Sequence, residues 1–192
     1  MKANLYALGA IALWATLATL GVSLSHVPPF LLTGLSLLIG SVLALPLLRH
    51  DLHQWRVPAA TLALGVYGLF GFHFLLFIAL RHAPPVEANL VNYLWPLFMV
   101  VLAPLLLPGL QLRSAHIAAA LLGFAGAAMA ILGASGDTPG SAVATGGWSW
   151  GYLLALASGL IWASYSLLTK RVKPFPTAAI GLFGLLSGLL SL

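Results

Sequence analysis

Apolar residues along this chain come in long runs separated by short polar breaks. The runs lie at about 4–24, 30–48, 59–80, 86–107, 114–134, 150–169 and 176–192. A helix that crosses a bilayer needs roughly 20 consecutive apolar residues, because its rise per residue must cover the hydrocarbon thickness. The pattern therefore predicts seven transmembrane helices. The breaks carry turn chemistry or charge: Val27-Pro28-Pro29, Arg49 to Pro58, Arg81-His82-Ala83-Pro84-Pro85, Pro108 to Arg113, the Gly-rich stretch Ser135 to Gly147, and Lys170 to Pro174. No soluble domain fits between them.

An N-terminus on the cytoplasmic side places Lys2, Arg49, Arg56, Arg113, Lys170, Arg171 and Lys173 inside and only Arg81 outside. A seven-to-one split is a strong positive-inside signal for a chain that crosses the membrane several times. The first run is longer than the apolar region of about 7–15 residues in a cleaved signal peptide. It also reappears later. A shift of 148 residues superposes Ala7, Leu8, Trp14, Ala15, Leu20, Pro28, Leu37, Leu38 and Gly40 on Ala155, Leu156, Trp162, Ala163, Leu168, Pro176, Leu185, Leu186 and Gly188. A unit of five spans, an odd number, inserts its second copy upside down, which is the inverted-repeat architecture of secondary transporters. The expected organisation is a first five-helix repeat over 1–148 and the start of an inverted second repeat over 149–192. Internal symmetry predicts ten helices, three of them beyond Leu192.

Composition sharpens this picture. Of 192 residues, 61% are hydrophobic and 6% charged, with a mean hydropathy of +1.05, which excludes both a water-soluble globule and a disordered chain. The net charge of +5 arises from basic residues between apolar runs, so it orients the protein and is not a nucleic-acid footprint. With no cysteine there is no disulfide, thiolate metal site or cysteine nucleophile.

Polar and aromatic side chains inside the spans are the candidate chemistry. In the fourth span Asn89, Asn92, Tyr93 and Pro96 follow i, i+3, i+4, i+7 and share one helical face. Amides in hydrocarbon need partners, so this face turns toward protein or water, either for interhelical hydrogen bonding or for a substrate. Pro96 has no N–H and frees the carbonyl of Asn92, so a kink or break is expected there. In the sixth span Ser158, Trp162, Tyr165 and Thr169 share a face whose repeat equivalent in the first span is Ala10, Trp14, Leu17 and Gly21. Trp14 and Trp162 sit near mid-helix, too deep for an interfacial belt, which leaves core packing or a binding wall. The third span carries Tyr67, Phe70, His73, Phe74 and Phe77; His73 is the member able to donate to a carboxylate or relay a proton. Glu87, the only carboxylate near a span, reads first as a salt bridge to Arg81 across a tight hairpin and second as a proton-coupling group. In the fifth span Ala119, Gly123, Gly126, Ala127, Ala130 and Gly133 form a ridge that lets another helix approach.

Catalytic readings fare poorly. Gly133-Ala134-Ser135-Gly136 has the form of an intramembrane serine nucleophile turn, but every histidine precedes it, and Asp137 and Pro139 follow in a loop. No HExxH motif or intramembrane carboxylate pair exists to hold a metal. The chain reads as a non-enzyme with no metal and no cofactor.

The stretch Asn89 to Pro96, with its Val-Asn-Tyr-Leu-Trp-Pro core, and Ile161-Trp162-Ala163-Ser164-Tyr165 in the sixth span together resemble the aromatic amino acid exporters of the drug/metabolite transporter superfamily, EamA type. The resemblance runs through all seven spans. It implies a ten-helix basket with both termini cytoplasmic and a central cavity lined by helices 1, 3, 4, 6, 8 and 9, of which four are present here. Carried over by position, the substrate-binding residues are Trp14, Tyr67, His73, Asn92, Tyr93, Trp95, Trp162 and Tyr165. The implied function is a secondary transporter that exports aromatic amino acids and related aromatic metabolites by alternating access. The same fold also accommodates another small metabolite, a non-aromatic amino acid or a cationic drug. The implied partners are the small-molecule substrate and membrane lipid, not nucleic acid, and the protein is expected to be a monomer.

Overall fold

The computed structural model describes residues 2–48, 52–136 and 149–192. Arg49, His50, Asp137, Pro139 and most of the Gly-rich stretch lie outside the described residues, as do the side chains of the Gly133-Ala134-Ser135-Gly136 turn and of Ala127 and Ala130 in the fifth-span ridge. The described residues form helices and turns, with no strand among them. The helices are α1 (Lys2–Ser23), α2 (Pro29–Ala44), α3 (Ala59–His82), α4 (Pro85–Asn92), α5 (Trp95–Leu106), α6 (Ser114–Gly136), α7 (Gly151–Leu168) and α8 (Ala179–Leu190). Seven spans result, because α4 and α5 are two halves of the fourth. Prolines open several of them: Pro29 and Pro85 occupy a first helical turn, where the missing N–H is no loss.

The packed centre is a seam between α3 and α7. Gly68 lies under the ring of Tyr165, so close that an added Cβ would stand 2.3 Å from it. Ser158 donates to the carbonyl of Phe72 at 3.0 Å, and Gly151 abuts His82 and Ala83. Rising residue numbers on α3 therefore meet falling numbers on α7, and the two helices run antiparallel. Leu76, Phe77, Leu80, Ala88 and Ala155 fill the adjoining core.

A second seam joins α2 to α8. Gly188 packs on Gly34 and Leu38, Gly184 on Leu37, and Gly181 on Ala44, so these helices also run antiparallel. They are one of the two helix pairs that the 148-residue shift relates, α1 and α7 being the other. Ser191 donates to the carbonyl of Phe30, and Trp55 Nε1 donates to that of Ala178, pinning both ends of α8.

The fifth-span ridge behaves differently from the expectation. Among the described residues nothing stands within 4 Å of a Cβ at Gly123 or Gly126, whereas Gly65, Gly68 and Gly71 of α3 and Gly181, Gly184 and Gly188 of α8 are among the glycines that bring helices together. Spacing of small residues shows which face admits a neighbour, not whether one is there.

Candidate functional site

The fourth span breaks where its sequence removes a donor. α4 ends at Asn92, Tyr93 and Leu94 form a turn, and α5 restarts at Trp95. Pro96 cannot donate to the Asn92 carbonyl. Leu94 N–H instead reaches Val91 at 3.1 Å and Tyr93 N–H reaches Asn89 at 2.9 Å, which tightens the last turn. Opposite the break stands Gly159 of α7, where a Cβ would come within 2.9 Å of the Asn92 carbonyl oxygen. Only a bare Cα lets the interrupted backbone lie this close. The kink or break expected at Pro96 is therefore a two-residue turn between the halves of one span, seated on a glycine.

Beside the break is a cavity of about 160 Å³, walled by α1, α3, α4, α5 and α7. Its aromatic wall is built from three tryptophans of three helices. Trp14 meets Trp162 with centroids 5.4 Å apart and planes at 70°, and meets Trp95 at 6.5 Å and 90°. Phe72 closes the wall 4.9 Å from Trp162. Edge-to-face packing of this kind is favourable for aromatic quadrupoles. Polar groups enter from α3 and α4 through His73, Asn89, Asn92 and Tyr93. Asn92 is 6% exposed, and its Oδ1 is buried without a hydrogen-bond partner.

Six of the eight residues expected at a binding site are brought together here: Trp14, His73, Asn92, Tyr93, Trp95 and Trp162. Tyr67 and Tyr165 are placed elsewhere. Tyr67 shares a hydrogen bond with Ser164 at 2.8 Å, and Tyr165 is buried over Gly68 with one edge toward Trp162. Neither lines the cavity: Tyr165 is buried in the α3–α7 seam, while Tyr67 is exposed and reaches α7 through Ser164. Pro96 of the predicted polar face is also diverted, because the break turns it toward α6.

Phe72, Leu76 and Asn89 line the cavity without having been among those eight. Asn89 was legible from its i, i+3 spacing to Asn92. Phe72 was hidden by its neighbours. The stripe of Phe70 and Phe74 packs on α2 through Phe30 at 4.3 Å, while Phe72 and His73 turn the other way.

Near the first turns of α4 and α7, Glu87 accepts a hydrogen bond from the Tyr152 hydroxyl rather than pairing with Arg81, which is exposed. Ser149 donates to the His82 carbonyl, and the rings of His82 and Trp150 lie 4.2 Å apart. Glu87 is thus tied to α7, outside the cavity. A larger hollow of about 470 Å³ between α5 and α6 is lined almost wholly by apolar groups and holds none of the eight residues.

Residues 1–132 match the EamA-like transporter family. The chain is 44% identical over 193 residues to the aromatic amino acid exporter YddG of Ancylobacter novellus, an alignment covering 99% of this chain and 66% of that protein. It is 31% identical over 185 residues to the aromatic amino acid exporter YddG of Salmonella typhimurium, covering 88% and 59%. A solved crystal structure shares the fold with a TM-score of 0.78 at 40% identity, covering 100% of this chain and 65% of that one. The chain therefore spans about two thirds of the length of these relatives or somewhat less.

Proposed function

The chain belongs to the EamA-like transporter family, and from that premise we propose that this multi-pass membrane protein exports aromatic amino acids and related aromatic metabolites across the bacterial inner membrane. The observation that carries the proposal is the box of Trp14, Trp95 and Trp162 around a cavity of about 160 Å³. A hollow of about 150 Å³ with apolar walls accepts a benzene ring, so this one is matched to a single aromatic side chain. The names of the Ancylobacter and Salmonella relatives agree with such a cargo.

Transport without covalent chemistry requires two arrangements of the helices around one site. We take the segments 1–148 and 149–192 as a five-helix repeat and the start of its inverted copy. The antiparallel packing of α2 on α8 supports this, since an inverted copy must run opposite to its original. The seven-to-one distribution of basic residues supports a cytoplasmic N-terminus. Loading from the cytoplasm and release outside then amount to rocking one set of helices past the other, with the interrupted fourth span beside the cargo.

The test is uptake of labelled tryptophan into liposomes bearing the protein, with phenylalanine, threonine and methyl viologen as competitors and Trp162→Ala as control. Competition by phenylalanine but not threonine or methyl viologen, with flux lost in a variant that stays folded, is the expected result. Flux indifferent to aromatic competitors, or unchanged in Trp162→Ala, overturns the assignment.

A further inference from the structure

The seam between α2 and α8 leaves a slot along its side. The two backbones meet where glycines allow it: a Cβ at Gly184 would stand 3.1 Å from the Leu37 carbonyl oxygen, and one at Gly181 would stand 2.7 Å from the Ala44 Cβ. Gly40 lines the slot, and nothing stands within 4 Å of a Cβ built there, so no side chain fills the gap. The result is a hollow of about 290 Å³ that reaches Leu69 of α3 and is lined almost wholly by apolar groups. Ser36 at its edge spends its hydroxyl on the Thr33 carbonyl, 3.0 Å away. From Ser36 to Ala44 the slot runs ~12 Å at 1.5 Å per residue, most of one leaflet of a hydrocarbon core ~30 Å thick.

One end of the slot carries charge. α2 finishes and α8 begins there, and Trp55 is wedged against both: its indole edge lies 3.6 Å from the Cβ position of Gly181, and its Nε1 donates to the Ala178 carbonyl at 2.9 Å. An indole with its body on apolar helices and its N–H on a carbonyl at a helix end suits the membrane–water interface. α3 starts just after Trp55, and the last turns of α7 meet the first turns of α3 through Ser164 and Tyr67. The connecting segments 45–58 and 169–178 therefore share this end, with five basic residues against one acid, Asp51. Arg56, Lys170, Arg171 and Lys173 are exposed, and none of the four forms an ion pair among the described residues. Arg56 follows the tryptophan at the mouth, and Lys173 lies four residues before Thr177, which lines the slot.

In a bilayer such a hollow fills from the hydrocarbon, because an empty one forfeits dispersion contacts along its walls. Basic residues at the level of the headgroups then favour an anionic lipid over a neutral one. We propose that the slot between α2 and α8 holds one acyl chain of an anionic phospholipid, with the phosphate against Arg56 and Lys173. The lipid spans a helix from each of the two segments related by the 148-residue shift. The exporter reading and its cytoplasmic N-terminus decide only which leaflet supplies the lipid, the cytoplasmic one.

Native mass spectrometry of the detergent-purified protein, incubated with dioleoyl phosphatidylglycerol or dioleoyl phosphatidylcholine, tests chain and headgroup separately. One phosphatidylglycerol is expected to be retained at least tenfold more tightly than phosphatidylcholine. Gly40→Leu, which puts a side chain into the slot where nothing obstructs it, should weaken retention of both lipids about tenfold. Arg56→Gln combined with Lys173→Gln should remove the preference for phosphatidylglycerol, about fivefold per charge, and leave phosphatidylcholine unchanged.

Equal retention of the two lipids by the parent overturns the inference, as does a folded Gly40→Leu protein that holds phosphatidylglycerol as tightly as the parent. A preference that survives loss of both charges overturns it too. So does a dimer that Gly40→Leu dissociates with lipid retention unchanged, since a second copy would then occupy the slot. If Gly40→Leu fails to fold, the headgroup comparison and the double charge variant decide the matter. Absence of tryptophan flux from liposomes bearing the parent would sink the exporter reading and leave the lipid measurement standing.

Discussion

α1 and α7 carry the same pattern at a distance of 148 residues, including Trp14 and Trp162, yet among the described residues they are covered to very different extents. Along α7, Gly151, Ala155, Ser158, Gly159, Ala163, Tyr165 and Leu167 are buried. On α1 the described side chains are almost all exposed, Trp14 is 55% exposed, and Gly21 alone among them is buried. The difference lies in the partner more than in the helix. α3 meets α7 with Gly68 and Gly71 on successive turns, against Tyr165 and Ile161, and at Gly68 the ring of Tyr165 is admitted to van der Waals contact with backbone. Without a hydrophobic drive between helices in lipid, close approach of this kind is what generates packing energy.

The largest way to break the contrast is Gly68→Leu. Its first added carbon would fall 2.3 Å from the Tyr165 ring, so α3 and α7 must separate. Overpacking of a closed site costs about 1–3 kcal/mol and more where backbone must move; a loss of at least ~3 kcal/mol is expected here. Thermal unfolding in detergent should show it as a drop of many degrees. Preserved stability would mean that the seam is looser than these contacts imply.

A smaller effect sharpens the comparison one turn away. Ser158 is buried and donates to the Phe72 carbonyl, which ties the cavity's phenylalanine to α7. Ser158→Ala removes one interhelical hydrogen bond, and such bonds contribute ~0.6–1 kcal/mol in membranes. At the repeat-related position of α1 the exposed Ala10 bonds nothing through its side chain, so Ala10→Ser should leave the unfolding midpoint unchanged. Equal effects at the two sites would mean that the hydroxyl matters for helix propensity rather than for the seam.

Seven spans and the interruption at Pro96 were legible in sequence because each follows from a local rule, run length or a missing N–H; of the six cavity residues, His73 and Asn92 stood out as polar groups where lipid rejects them, while the set as a whole, Trp95 included, came from the resemblance to the EamA-type exporters. What could not be read was rotation. Tyr67 and Tyr165 have the composition of a binding wall, but Tyr67 is turned to an exposed position beside Ser164, and Tyr165 enters the α3–α7 seam because Gly68 leaves room. Phe72 escaped notice because the more regular aromatic spacing through Phe70 and Phe74 belongs to the contact with Phe30 on α2. The glycine ridge of α6 shows the converse. Gly123 and Gly126 have the right spacing for a close neighbour and meet none among the described residues. A pattern in one helix specifies a face, while the occupant of that face is encoded in another helix.

The smallest expected effect reverses the sign of the first. Gly9 lies in the exposed stretch of α1, and a Cβ built there meets nothing within 4 Å. Gly9→Ala adds no clash and removes the conformational freedom that makes glycine poor in a helix, an advantage of up to ~1 kcal/mol in water and less in lipid. The expected outcome is an unfolding midpoint equal to or slightly above that of the parent, whereas Gly68→Ala, the same chemical change in the seam, should lower it. A stabilised Gly68→Ala would refute the claim that the two repeat-related helices differ by what their partners present. A destabilised Gly9→Ala would show instead that α1 is covered at that position in the membrane-embedded protein, and the contrast with α7 would then narrow to the depth of the contact.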